Sequence, residues 1–167
     1  SKKVNLKKKD YVLDIASNDG TLLKSYKKSV IKVGIDPIIN KFKKFYKDID
    51  YPINDFFSAN SIFKKKINQK FKVITALSVF YDLQNPNSFL RDVSKLLDNK
   101  NGIFLLEHTD LLSIIKKNLF DTICHEHLEY YSVEVIINMA IKNNLRVFDI
   151  GTNNVNGSSV RFFICHK

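Results

Sequence analysis

The run FKVITALSVF at residues 71–80 constrains this chain more than any other stretch. It is apolar at both alternate sets of positions, so as a strand it must be covered on both faces. The interior of a parallel sheet, with helices above and below, meets that demand. Shorter apolar runs recur at 11–16 (YVLDIA), 31–36 (IKVGID), 51–57 (YPINDFF) and 103–108 (IFLLEH). Between them lie segments of helical period: TLLKSYKKS, NKFKKFYK with Phe42, Phe45 and Tyr46 on one face, and SANSIFKKKI with Ser and Asn as capping signals. NPNSFLRDVSKLLD follows, with Phe89, Leu90, Val93, Leu96 and Leu97 inward, then LLSIIKK and SVEVIINMAIKNN (132–144), which Ser132 caps. Two strands, LRVFDIG and SSVRFFICHK, end the chain across the loop TNNVNG. Five strand–helix alternations and a closing strand pair predict an α/β doubly wound sheet.

A chain of 167 residues that is 44% hydrophobic builds one domain with a proper core. Its net charge of +10 raises nucleic acid as a partner. Against that, only Arg91, Arg146 and Arg161 carry the guanidinium suited to bidentate phosphate contacts. The lysines are dispersed, as on a solvated surface. Residues 78–86, SVFYDLQNP, also lack the proline-aromatic motif that base-methylating enzymes show after the fourth strand. Nucleic acid is therefore not the expected partner. Cys124 and Cys165 read as free thiols of a cytoplasmic protein, and no apolar run is long enough to cross a bilayer. The chain opens on SKKVNLKKKD without an initiator Met, as a piece of a longer protein would.

Ligands of doubly wound sheets bind beyond the carboxyl ends of the strands. The first exit, LDIASNDG, lacks the G-x-G-x-x-G of dinucleotide folds, and Walker A is absent as well. It offers Asp14, a small residue at Ala16, then Ser17, Asn18, Asp19 and Gly20, and a second acid, Asp36, closes strand two. An Asp at that place can hold both hydroxyls of a ribose. An acidic loop suits a cationic or zwitterionic ligand, so the pattern points to S-adenosyl-L-methionine, with S-adenosyl-L-homocysteine as product. Asp14 and Asp19 as mere turn and cap residues is the competing reading.

VLDIASNDGTLL, GIDP, NDFF, FDTICHEHLEYYS and NGSSVRFF stand in the order and spacing of the sugar C-methyltransferase family, which this chain resembles over nearly all its length. Those enzymes methylate a carbon of nucleotide-linked 4-keto-deoxyhexoses. The resemblance implies a single Rossmann-like class I methyltransferase domain over 1–167, with a mostly parallel seven-stranded sheet and an antiparallel last strand. It implies a cofactor site built from the 16–20 loop, Asp36 and Pro37 at the ribose, Asp55 and Phe56 by the adenine, and Ser78 and Val79 at the fourth exit. The substrate would be a small molecule, a nucleotide sugar by this resemblance. The chain departs from the family at Ala16 (usually Gly), Asp82 (usually His), Cys124 (usually Tyr) and Ser158 (usually Gly). The family's zinc-binding N-terminal domain and its C-terminal domain are not in this sequence. Arg161 matches a family arginine.

Residues 120–132, FDTICHEHLEYYS, concentrate the remaining chemistry. Zinc helices place ligands four apart, whereas His125 and His127 are two apart, and Cys124 with His127 would need further ligands such as His108. No metal is expected. Acid–base chemistry fits better, because a His takes a proton near neutral pH and a neighbouring carboxylate orients it. The family resemblance assigns the base to His127, with Glu126 beside it, and Tyr130 or Tyr131 can supply the donor that Cys124 does not. His125 reads as a loop anchor and Glu129 as a solvated residue. A second reading is a cofactor-binding scaffold without catalysis, which Cys124 and Asp82 favour. RNA or DNA methylation ranks third.

Overall fold

The computed structural model describes residues 3–167. Seven strands form one sheet: β1 Tyr11–Ile15, β2 Ile31–Ile35, β3 Tyr51–Ile53, β4 Phe71–Leu77, β5 Ile103–Thr109, β6 Leu145–Asn153 and β7 Ser159–His166. Their order is β3-β2-β1-β4-β5-β7-β6, which puts β4 in the middle, as its two apolar faces require. All pairs from β3 to β5 are parallel, while β7 runs antiparallel to both β5 and β6.

The helices are α1 Thr21–Lys24, α2 Ile39–Phe42, α3 Ala59–Phe63, α4 Pro86–Leu96, α5 Leu111–Lys117 and α6 Val133–Lys142. On one face α3, α4 and α6 bury Ile62, Phe89, Leu90, Val93, Leu96, Ile136 and Ala140 against the strands. The other face holds a smaller cluster in which Leu23, Ile39 and Tyr46 cover Val12 and Val73. Fully buried Phe71, Phe80, Phe104 and Phe162 anchor the larger layer, each contributing about 1.5–3 kcal/mol. Side chains of Ser58, Asn85, Asp110 and Ser132 cap α3, α4, α5 and α6 by accepting backbone N–H bonds.

Several expected elements are shorter. The helices expected over 21–29 and 40–47 contract to α1 and to α2 followed by a 3-10 turn at Lys43–Phe45, because few of their residues find a core to enter. Of the three aromatics expected on one face, Phe42 and Tyr46 pack on the same small cluster, while Phe45 is 39% exposed. Strand three stops at Ile53, where Asp55 N–H turns back to the Ile53 carbonyl and the Asp55 carboxylate accepts from Phe56 N–H. Strand four stops at Leu77, since Ser78 takes a left-handed φ of 54° and a 3-10 turn follows at Phe80–Asp82. Each early stop clears backbone from the carboxyl rim.

Candidate functional site

Parallel strands β1, β2 and β4 end side by side, and the loops leaving them wall a cleft of about 790 Å³. That volume is in the range of small-molecule sites. Its walls are apolar at Ile15, Ile35, Phe57, Val79 and Phe89, and its charged lining residues are Asp36 and Asp82, with no lysine or arginine among the described residues. In a chain of net charge +10, this cleft carries its negative charge with no lysine or arginine in its described lining.

The loop after β1 is coiled tightly by left-handed φ values at Ala16 (56°), Asn18 (48°) and Gly20 (73°). Backbone N–H groups of Ala16 and Ser17 both donate to the Ile35 carbonyl. The Asp36 carboxylate then accepts from Asn18 N–H (3.0 Å) and from Ile38 N–H (2.9 Å), fastening this loop to the exit of β2. Both oxygens retain lone pairs, so Asp36 can still accept from ligand hydroxyls. Beneath the loop, Tyr46 O–H donates to the Asn18 carbonyl and Ser17 O–H donates to the Tyr46 oxygen, each at 2.8 Å. Burial pushes the Tyr46 phenol up to about 12, despite the Ser17 bond, so it stays protonated at neutral pH. This fits only because position 34 is glycine: a Cβ there would lie 2.9 Å from Leu23 Cδ1 and Ser17 Oγ. Sequence reasoning did not single out Tyr46 or Gly34 as site residues. The alternation of Gly34 toward the loop was the available signal.

The expected cofactor residues divide by what they face. Ala16, Asp36, Pro37, Phe56 and Val79 line the cleft, and Phe56 is 76% exposed, an aromatic surface with no ring against it among the described residues. Ser17, Asn18 and Gly20 shape the loop from behind. Asp19 instead accepts from Thr21 N–H and O–H, and these bonds hold its carboxyl below the usual range. Asp55 accepts from Ser61 O–H and Phe56 N–H and serves the turn before α3. Ser78 N–H donates to the Glu107 carbonyl, which joins the β4 exit to β5. Asp14 is buried behind the cleft wall, where Thr75 O–H donates to it. Burial raises its carboxyl to about 7, against the lowering effect of Thr75 and with a smaller push from Asp36.

The histidine-rich segment lies over the exit of β4: Leu128 and Glu129 N–H both donate to the Tyr81 carbonyl, and the His127 and Tyr81 rings are 4.2 Å apart. His127 Nδ1–H donates to the Thr122 carbonyl at 2.7 Å, since a carbonyl can only accept, which leaves a lone pair on Nε2. The Tyr130 hydroxyl reaches the same carbonyl at 3.5 Å. Among the described residues no hydrogen bond joins Glu126 to His127. The acidic neighbour whose field couples to His127 is Asp82, on the cleft wall. Its carboxyl is raised by burial first, lowered by His127 and raised again by Glu126. Tyr131 is buried against Phe80 and His108, away from the cleft, and its phenol is pushed up to about 12 by burial. His125 and Glu129 are exposed. Arg161 pairs with Glu107 across β7 and β5. Among the described residues no group of three or more His, Cys, Asp or Glu side chains is placed to hold a metal ion, and no helix is long and apolar enough to cross a membrane.

Comparison with known proteins adds three findings. A family model described as a methyltransferase domain matches residues 2–150. The C-methyltransferase NovU of Streptomyces niveus is 33% identical over 92 residues, which is 55% of this chain and 22% of that protein. The likeness thus spans about a fifth of that relative's length. Solved structures share the fold at low identity. A chain of the Haloferax volcanii complex between the Trm112 methyltransferase activator and a methyltransferase superposes with TM-score 0.75 at 10% identity, covering 99% of this chain and 87% of that one. The magnesium protoporphyrin IX methyltransferase of Synechocystis, solved with S-adenosylhomocysteine bound, gives 0.66 at 12% identity, covering 96% and 75%.

Proposed function

This chain belongs to the methyltransferase-domain family matched over residues 2–150, and from that premise we propose that it forms one S-adenosylmethionine-dependent domain that methylates a carbon of a small keto sugar linked to a nucleotide. The observation that carries the cofactor is the cleft itself, whose described wall bears two carboxylates and no lysine or arginine in a strongly basic protein. Asp36 suits a ribose diol, the exposed Phe56 ring suits a flat base, and the negative wall suits a cationic sulfonium and an ammonium. When bound there, S-adenosylmethionine supplies an electrophilic methyl group.

The chain's own residues prepare the acceptor. A carbon beside a ketone must lose a weakly acidic proton before it can be methylated. His127 is arranged to take it, because Thr122 holds the Nδ1 proton and Nε2 is left to accept. Asp82 stabilises the positive charge that the imidazole gains, and Tyr130 can donate to the ketone oxygen as negative charge develops there. Partial likeness to NovU, a C-methyltransferase by name, supports carbon as the acceptor atom. Free thiols at Cys124 and Cys165 favour a cytoplasmic setting.

Two measurements test this in the complete protein. Calorimetry should show S-adenosylmethionine and S-adenosylhomocysteine binding, weakened about tenfold or more by Asp36→Ala. With a keto-sugar nucleotide as acceptor, His127→Ala should abolish release of S-adenosylhomocysteine while leaving its affinity intact. Full turnover in that variant overturns the base assignment, and failure of either cofactor species to bind overturns the reading of the cleft.

A further inference from the structure

At the opposite end of the sheet, the loops entering β2 and β3 enclose a second pocket of about 390 Å³. Lys28, Lys32 and Lys47 line it together with Asp48 and Asp50. Lys32 is the unusual member. It sits on β2 with its side chain on the face shared by Gly34, and it is only 4% exposed. Its stem is buried along the strand, as long lysine stems often are, while its ammonium keeps solvent access through the pocket. Here no ion pair and no hydrogen bond reaches the Lys32 ammonium among the described residues. The nearby Asp50 carboxylate accepts from the Lys32 backbone N–H at 2.8 Å instead, and Asp48 pairs with none of the three lysines. Lys24 lends only its stem, because its ammonium is turned to the Asp19 carbonyl and the Phe45 ring.

We propose that this pocket binds a small phosphorylated anion, with Lys32 at its floor and the exposed Lys28 and Lys47 at its mouth. Three ammonium groups without a guanidinium fork act as point charges, which match the dispersed charge of a phosphate or diphosphate better than the fixed plane of one carboxylate. The volume admits more than a single phosphate group. The site lies at the amino ends of the strands, apart from the cleft at their carboxyl ends, so it serves neither the cofactor nor the methyl acceptor.

Inorganic pyrophosphate is the probe, titrated at low salt and followed by amide chemical shifts and calorimetry. Saturable binding centred on the amides of Lys28, Lys32 and Lys47 is expected, weakened about tenfold by Lys32→Met with the unfolding midpoint unchanged. Should Lys32→Met fail to fold, the Lys28→Gln/Lys47→Gln double variant, altered only at exposed positions, should show the same weakening. Lys100→Gln, remote from the pocket, should change nothing. The proposal is overturned by absent saturation at millimolar probe, by equal weakening in Lys100→Gln, or by single-stranded RNA binding these lysines while pyrophosphate does not.

Discussion

Asp14 links the packing behind the loop after β1 to a measurable pH dependence. Its carboxyl ionises at about 3.8 in an unfolded chain and at about 7 when folded, chiefly because burial disfavours the charged form. The folded state therefore holds a proton that the unfolded state releases between these two values. By linkage, stability falls as pH rises through that window and levels off above it. A shift of this size corresponds to at most about 4 kcal/mol in total, of which about 2.5 kcal/mol is lost between pH 5 and 7.5. Asp14→Asn keeps an oxygen to accept the Thr75 hydroxyl but cannot ionise. Its own packing cost is constant with pH. The assay is urea unfolding of both proteins across that range, with the difference in stability taken at each pH so that all other titrating groups cancel. That difference should move in favour of Asp14→Asn by about 2.5 kcal/mol from pH 5 to 7.5. A difference that stays flat refutes the argument, because it would mean that Asp14 ionises alike in both states.

His108 should titrate with the opposite sign: burial holds its imidazole below the ordinary 6.5, so folding loses stability as pH falls below about 6.5, and His108→Gln should flatten that acid limb in the same urea series. Gly34→Ala forces a Cβ against Leu23 and Ser17 and should cost about 1–3 kcal/mol in thermal unfolding, with S-adenosylhomocysteine affinity falling alongside. Tyr46→Phe removes the hydroxyl that joins Ser17 to Asn18, and calorimetry should show weaker cofactor binding with about 1 kcal/mol lost from stability. Ala16→Gly relieves a left-handed residue at the cleft and should raise the melting temperature by an amount equivalent to about 0.5–1 kcal/mol.

The sheet was legible because its evidence is local. A strand apolar on both faces announces its own burial, and β4 sits at the centre for that reason. Caps at Ser58 and Ser132 were readable too, since a cap and its N–H donor lie three residues apart, whereas the cap at Asn85 went unread. What escaped depends on residues far apart in sequence. Tyr46 meets Asn18 across 28 positions and Thr75 meets Asp14 across 61, and neither pairing leaves a periodic trace. The short α1 and α2 escaped for a related reason: lysine-rich segments keep a helical rhythm even where only Leu23 or Ile39 has a core to enter. The bulge in β6 between Val147 and Asp149 is likewise set by its partner β7.

The departures at positions 82 and 124 bear on the same proton. A histidine at 82, the residue usual in the family that the chain resembles, would place a neutral or positive ring in the field of His127. Aspartate there reverses the sign, and the coupling of Asp82 to His127 and Glu126 puts the three groups in one field. Were His127 to gain a proton as the proposed base, the Asp82 carboxylate in its field would stabilise the resulting cation, whereas a second imidazole would compete for the charge. On the same proposed mechanism, cysteine at 124 in place of the tyrosine usual in the resembled family would take away a donor to the substrate oxygen and leave Nε2 of His127 untouched. On the proposed mechanism Asp82 would support the base, and Tyr130, whose hydrogen bond to the Thr122 carbonyl is long at 3.5 Å, would take the donor role for a substrate oxygen. Substitution at 82 should therefore alter the pH profile of turnover, whereas substitution at 130 should lower its plateau without moving the profile.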